Sequence, residues 1–202
     1  MIQRIIKELS HHIPFTAMGG ILGIILLFLF KKATPHVAFV LFYTAHPLHV
    51  LFSAIVTASL FRLYEDRNQS WWMQFVKVVL IGYFGSVGIS TISDSLFPYL
   101  GESLFDLPFR HLHLGFIEKP LLVNGAAVIG IIFGFFYPLT KLPHSMHVFL
   151  STFASLFHIL MASGTNLSLW LYAGIFFLLF ISVWVPCCFS DIVFPLLFVR
   201  KK

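Results

Sequence analysis

Apolar runs about twenty residues long, parted by short polar breaks, follow one another along the chain. The first covers 14–30 and is closed by Lys31-Lys32. The second lies within 36–61 and ends at Arg62 and the charged group Glu65-Asp66-Arg67. The third, about 74–98, is entered through Trp71-Trp72, an aromatic pair of the kind found at membrane interfaces. A polar connector with Glu102, Asp106, Arg110, His111 and His113 follows. The fourth run is about 120–138, the fifth 144–162 and the sixth 167–188, which continues toward Phe198 and is closed by Arg200-Lys201-Lys202. About 20 apolar residues carry a helix across the hydrocarbon core. The pattern therefore predicts an all-α integral membrane protein with six transmembrane helices. Ahead of them Ile2, Ile5, Ile6 and Leu9 recur at helical spacing opposite Arg4, Lys7 and Glu8. That predicts a short interfacial helix over 1–13 rather than a cleavable signal peptide.

Composition agrees. Of the 202 residues 58% are apolar and 10% charged, and mean hydropathy is +0.92. A soluble domain carries about 25% charged residues; this chain cannot cover a water-facing surface. The same numbers exclude a disordered or nucleic-acid-binding protein. The net charge of +5 needs no polyanionic partner, because basic loops on one side of a membrane produce it. With the N-terminus inside, inner loops would hold Arg4, Lys7, Arg62, Arg67, Lys141, Arg200, Lys201 and Lys202. Outer loops would hold Lys31, Lys32, Arg110 and Lys119. The excess inside predicts a multi-pass protein with both termini in the cytoplasm, in a bacterial or archaeal cytoplasmic membrane. The adjacent Cys187 and Cys188 are expected to form no disulfide and to lie buried and inert near Pro186.

An internal repeat organises the six spans. His46 to Ser53 reads HPLHVLFS and His144 to Ser151 reads HSMHVFLS, offset by 98. Ser93 to Leu100 reads SDSLFPYL and Ser190 to Leu197 reads SDIVFPLL, offset by 97. GGILGII from Gly19 resembles GAAVIGII from Gly125. The order is the same in both halves, as a duplicated three-helix unit requires. The domains expected are the interfacial helix 1–13, a first repeat 14–100, a connector 101–119, a second repeat 120–198 and a basic tail 199–202. A unit with an odd number of spans must insert its second copy upside down. Inverted repeats of this kind occur in transporters, with the site at the repeat interface near mid-membrane.

The chemistry falls on one stripe of each second helix. His46, His49, Ser53 and Thr57 share a face in the first half; His144, His147, Ser151 and Ser155 do so in the second, and His158 extends the line. Neutral imidazole is the commonest metal-ligating side chain. Asp94 and Asp191 lie in the third helices, where an ionisable group marks a site or a path by default. The expected ligands are His46, His49, His144, His147, Asp94 and Asp191. Ser53, Thr57, Ser151, Ser155, Ser93 and Ser190 are expected to line the path. The donor set suits Zn²⁺, Ni²⁺, Co²⁺ or Fe²⁺ better than Mg²⁺ or Ca²⁺. The function expected is a transporter or channel for a small cation, most of all a divalent transition metal, favoured over an enzyme, which is left open. Its partners are the lipid bilayer and the cation, no nucleic acid, and a homo-oligomer is left open. The alternatives are a membrane-embedded metal-dependent hydrolase acting on a lipid and a haem-binding electron carrier. Against these stand two structural roles: the histidines as interhelical contacts, and each Asp as a helix cap at the membrane boundary, with the following Pro breaking the helix.

Overall fold

The computed structural model describes residues 34–65, 70–163, 169–189 and 193–199, with individual positions between 14 and 30. Among the described residues the protein is all-helical, without strands. Helix α1 is Pro35–Tyr64. Helix α2 runs over Trp71–Leu104, α3 is the single turn Gly115–Glu118 and α4 is Pro120–Phe136. Helix α5 is Lys141–Ala162, α6 is Leu169–Cys188 and α7 is the short Phe194–Leu197. Four of these, α1, α2, α5 and α6, are long and apolar enough to cross a membrane. Helix α4 and the segment Ile21–Phe30 are apolar but shorter. The predicted interfacial helix over 1–13 lies outside the described residues.

Local sequence sets the helix ends. Thr34 Oγ1 accepts from the Val37 amide and Ser70 Oγ from the Met73 amide, and Pro35 and Pro120 stand at first-turn positions where no amide proton is needed. Helix α2 overruns its expected end. It continues for one more turn past 100, so Glu102 is part of the helix rather than of a solvated connector. At 34 residues it rises roughly 50 Å, more than the core of about 30 Å, so it must tilt or protrude. Pro98 does not break it. Two π-helical turns, Phe84–Gly88 and Ile92–Leu96, take up the irregularity, and the second contains Asp94. π-Turns inside α-helices frequently mark functional sites.

The fold buries many polar side chains within its apolar core and exposes large apolar ones. Leu121, Trp170, Trp72, Phe177 and Phe84 are exposed on its surface. Ser53, Thr57, Ser86, Ser90, Ser93, Asp94, Ser95, His147, Ser151, Ser155 and His158 are buried. That arrangement suits a lipid surround, where the outer face needs no polar groups and the interior must satisfy its own.

Helices α1 and α5 form the centre. They run antiparallel: Phe42 meets the ring of His158 at one end, and the rings of His49 and His147 lie 5.5 Å apart farther along. Helix α4 lies parallel to α1. A Cβ on Gly130 would stand 2.4 Å from the Leu51 carbonyl oxygen, and one on Gly134 would stand 2.6 Å from that of Ile55. Only glycine permits backbones to pack this closely, as in many membrane helix pairs. Gly82 and Gly85 of α2 are similarly close to Ile131 and to the Thr57 methyl.

Candidate metal centre

Asp94 is fully buried, and side chains from two helices converge on it. From α1, His46 Nδ1–H and His49 Nδ1–H donate to its Oδ2 at 2.9 and 2.7 Å. Ser93 Oγ–H, from its own helix, donates to Oδ1 at 2.7 Å. Ser151 Oγ–H from α5 donates to the same oxygen at 2.9 Å. Four donors fill the acceptor capacity of one carboxylate, which is how a charge can be kept out of water. Ser155 Oγ–H adds a bond to the Ser93 carbonyl at 3.1 Å, and ties α5 to the π-turn. The boundary-cap role for Asp94 does not hold, because the residue sits inside α2 at the centre of this network.

The network decides the chemistry of the imidazoles. A neutral ring that donates through Nδ1 presents a lone pair at Nε2. This carboxylate–histidine geometry orients metal ligands in known sites. His49 Nε2 faces Cys187 Sγ of α6 at 4.0 Å and Ser90 Oγ at 3.5 Å. One ligand atom each from His49, His147 and Cys187 lies within 4.8 Å of the others, and all three residues are buried. Shifts of about an ångström would bring such atoms to tetrahedral metal distances of about 2.0–2.3 Å.

No family model, no curated protein and no solved structure matches the chain.

The remaining predicted residues divide into four sets. His144 lies one helical turn from His147, with ring centroids 4.8 Å apart, but outside the three-residue group. Ser53 and Thr57 are buried along α1. Asp191 and Ser190 lie outside the described residues. His46 joins the network through Nδ1, while its Nε2 is buried without a hydrogen-bond partner.

Two features escape a sequence-based search. Cys187 is buried, as expected, but its Sγ approaches His49 Nε2 instead of lying inert beside Pro186. Its signal was positional: 97 residues before it stands Ser90, so the two equivalents both approach His49 Nε2. The second is a buried pair, His158 Nδ1–H donating to Glu102 Oε1 at 2.6 Å. His158 Nε2 in turn accepts from the His113 amide, which connects the interior to the 105–119 segment.

Outside the spans, Glu118 accepts from the Tyr43 hydroxyl at 2.6 Å, from His113 Nδ1–H and from the Leu114 amide, both at 3.1 Å. Burial pushes its carboxyl up, but these bonds outweigh that and hold it below the usual glutamate value. Burial pushes His113 below the ordinary histidine value, against the pull of Glu118.

Proposed function

We propose that the protein is a multi-pass membrane transporter for a small cation, a divalent transition metal, built from two inverted three-helix halves. His49, His147 and Cys187 bind the ion between the halves. Asp94 acts as the carboxylate that holds the imidazole of His49 in its ligating tautomer, and His46 completes that hold. Asp191 is assigned the corresponding role toward His144 and His147 by its place in the repeat. The buried serines, with Thr57, line the path.

Paired contacts support the inverted halves. His49 and His147 are equivalent under the offset of 98 and their rings lie 5.5 Å apart, which supports a pseudo-twofold between them. Gly130 packs on Ala54; its counterpart Gly23 packs on Thr152, the residue 98 positions beyond Ala54. Ser59 Oγ meets the Leu139 amide at 3.1 Å, and their counterparts Phe157 and Leu41 belong to one apolar cluster. Directions fit as well. Helices α1 and α4, which cover the second and fourth apolar runs, run parallel. The segment ending at Phe30 runs parallel to α5, since Gly23 neighbours Thr152 and Phe30 neighbours Phe157. The excess of basic residues in the inner loops supports placing both termini in the cytoplasm.

One observation carries the ion assignment: two imidazoles at repeat-equivalent positions and a thiol, all buried, bring one ligand atom each within 4.8 Å of the others. Imidazole and thiolate together select Zn²⁺ or Co²⁺ over Mg²⁺ and Ca²⁺. Movement of one half against the other would open the site to alternate sides.

The test is metal flux into proteoliposomes that enclose a metal-responsive dye. His49→Ala and His147→Ala are each expected to lower Zn²⁺ flux by about tenfold or more, and Cys187→Ser to shift the preference among Zn²⁺, Co²⁺ and Fe²⁺. Full flux in both histidine variants would remove the proposal.

A further inference from the structure

A second cluster of ligating groups stands apart from the centre. After α2 ends at Leu104 the chain passes through His111 and His113 and closes with the turn Gly115–Glu118. One ligand atom each from His111, His113 and Glu118 lies within 4.8 Å of the others. The rings of the two histidines are 4.6 Å apart, and Glu118 Oε2 is 3.1 Å from His113 Nδ1. His111 is exposed and His113 half-buried, so solvent ions reach the cluster directly.

Its carboxylate is already positioned. The Tyr43 hydroxyl and the Leu114 amide grip Glu118 from two directions, as second-layer partners hold metal-binding carboxylates. Aromatic rings of Phe39, Phe42 and Tyr43 flank the His113 ring. Lys119 lies over the faces of Phe39 and Tyr43, and Arg110 pairs with Asp106.

The cluster also lies over the buried network. A Cβ on Gly115 would stand 2.7 Å from His46 Nε2, the atom that is buried without a partner. Phe42 stacks on His46 and touches His158 edge-on, and His158 receives the His113 amide. A line of imidazoles thus leads inward from the 105–119 segment.

The buried and aromatic partners of this cluster are not duplicated in the repeat. The counterparts of Tyr43, His158 and Glu102 are Lys141, Leu60 and Val199.

We propose that His111, His113 and Glu118 form a second metal site at the mouth of the protein, which takes one borderline divalent cation such as Zn²⁺ or Co²⁺ from solution. Two imidazoles and a carboxylate leave a fourth position for water, the open geometry of an exchangeable ion. The site stands on its own geometry; that it hands the ion inward rests on the transporter reading.

Co²⁺ titration of the full chain in micelles, without an affinity tag, separates the two sites by absorption. The buried site contains a thiolate and gives sulfur-to-cobalt charge transfer; the mouth site contains none. Wild type is expected to bind two equivalents. His111→Ala, at an exposed position, and Glu118→Gln should each lose one equivalent and keep the charge-transfer band. Cys187→Ser should lose the band and keep the mouth equivalent. Undiminished stoichiometry in both mouth variants would overturn the proposal. Loss of the band's equivalent alone, in wild type, would count against the buried site and leave this one standing.

Discussion

Asp94→Asn is expected to weaken Zn²⁺ binding by roughly 10–100-fold, the usual effect of losing a carboxylate behind a ligating histidine. The reason is donor arithmetic. Asp94 Oδ2 accepts from the Nδ1–H groups of both His46 and His49, and Oδ1 accepts from the Ser93 and Ser151 hydroxyls. An amide can still satisfy the serines through its oxygen. Its NH₂ would then point at two N–H donors. Each histidine can escape by moving its proton to Nε2, which removes the lone pair His49 needs for the metal. Asp94→Ala goes further. It leaves two buried ring N–H groups without their acceptor, at about 1–3 kcal/mol each, while the Ser93 and Ser151 hydroxyls can still donate to the Ser90 carbonyl and to Ser93 Oγ. That variant is expected to lose the fold in micelles. Calorimetric titration with Zn²⁺ and a thermal melt check both. Affinity within twofold of wild type for Asp94→Asn would sink the orienting role.

Gly130→Val should be the most damaging substitution outside the polar centre. The added Cβ would stand 2.4 Å from the Leu51 carbonyl oxygen and 2.8 Å from the Ala54 methyl. Overpacking costs about 1–3 kcal/mol where side chains can yield. Here the obstacle is backbone of α1, which cannot move without disturbing its contacts with α5 and α2, so the loss is expected at or above that range. Gly23→Ala is the informative control. Its Cβ would meet only side chains, Leu179 Cδ1 at 3.2 Å and Thr152 Cγ2 at 3.4 Å, and a small change is expected. Denaturant titration in mixed micelles reads both. Equal stability of Gly130→Val and wild type would remove the close α1–α4 contact, and with it a main support for the paired halves.

The sequence made much of the site legible because its signal was doubled. His46, His49, Ser151, Ser155, Ser93 and Asp94 were singled out by a repeated pattern, and they join in one hydrogen-bonded network. Cys187 was visible only as a repeat position, since a thiol beside a proline in an apolar run looks like ordinary packing. Glu102 was harder still. Read along the chain it belongs to a polar connector, and only its contact with His158, 56 residues away, reveals a buried partner.

Chemical composition and hydropathy periodicity by themselves determined that this is a helical protein suited to a bilayer, because spanning lengths and charge scarcity are local properties of the chain. The duplicated stripes singled out polar side chains that the structure buries and joins by hydrogen bonds. Which of them meet was decided only by tertiary structure. The antiparallel crossing of α1 and α5 and the π-turn at Ile92–Leu96 aim side chains from remote positions at shared atoms. Convergence of that kind depends on helix rotation and depth, and no spacing within one helix encodes either.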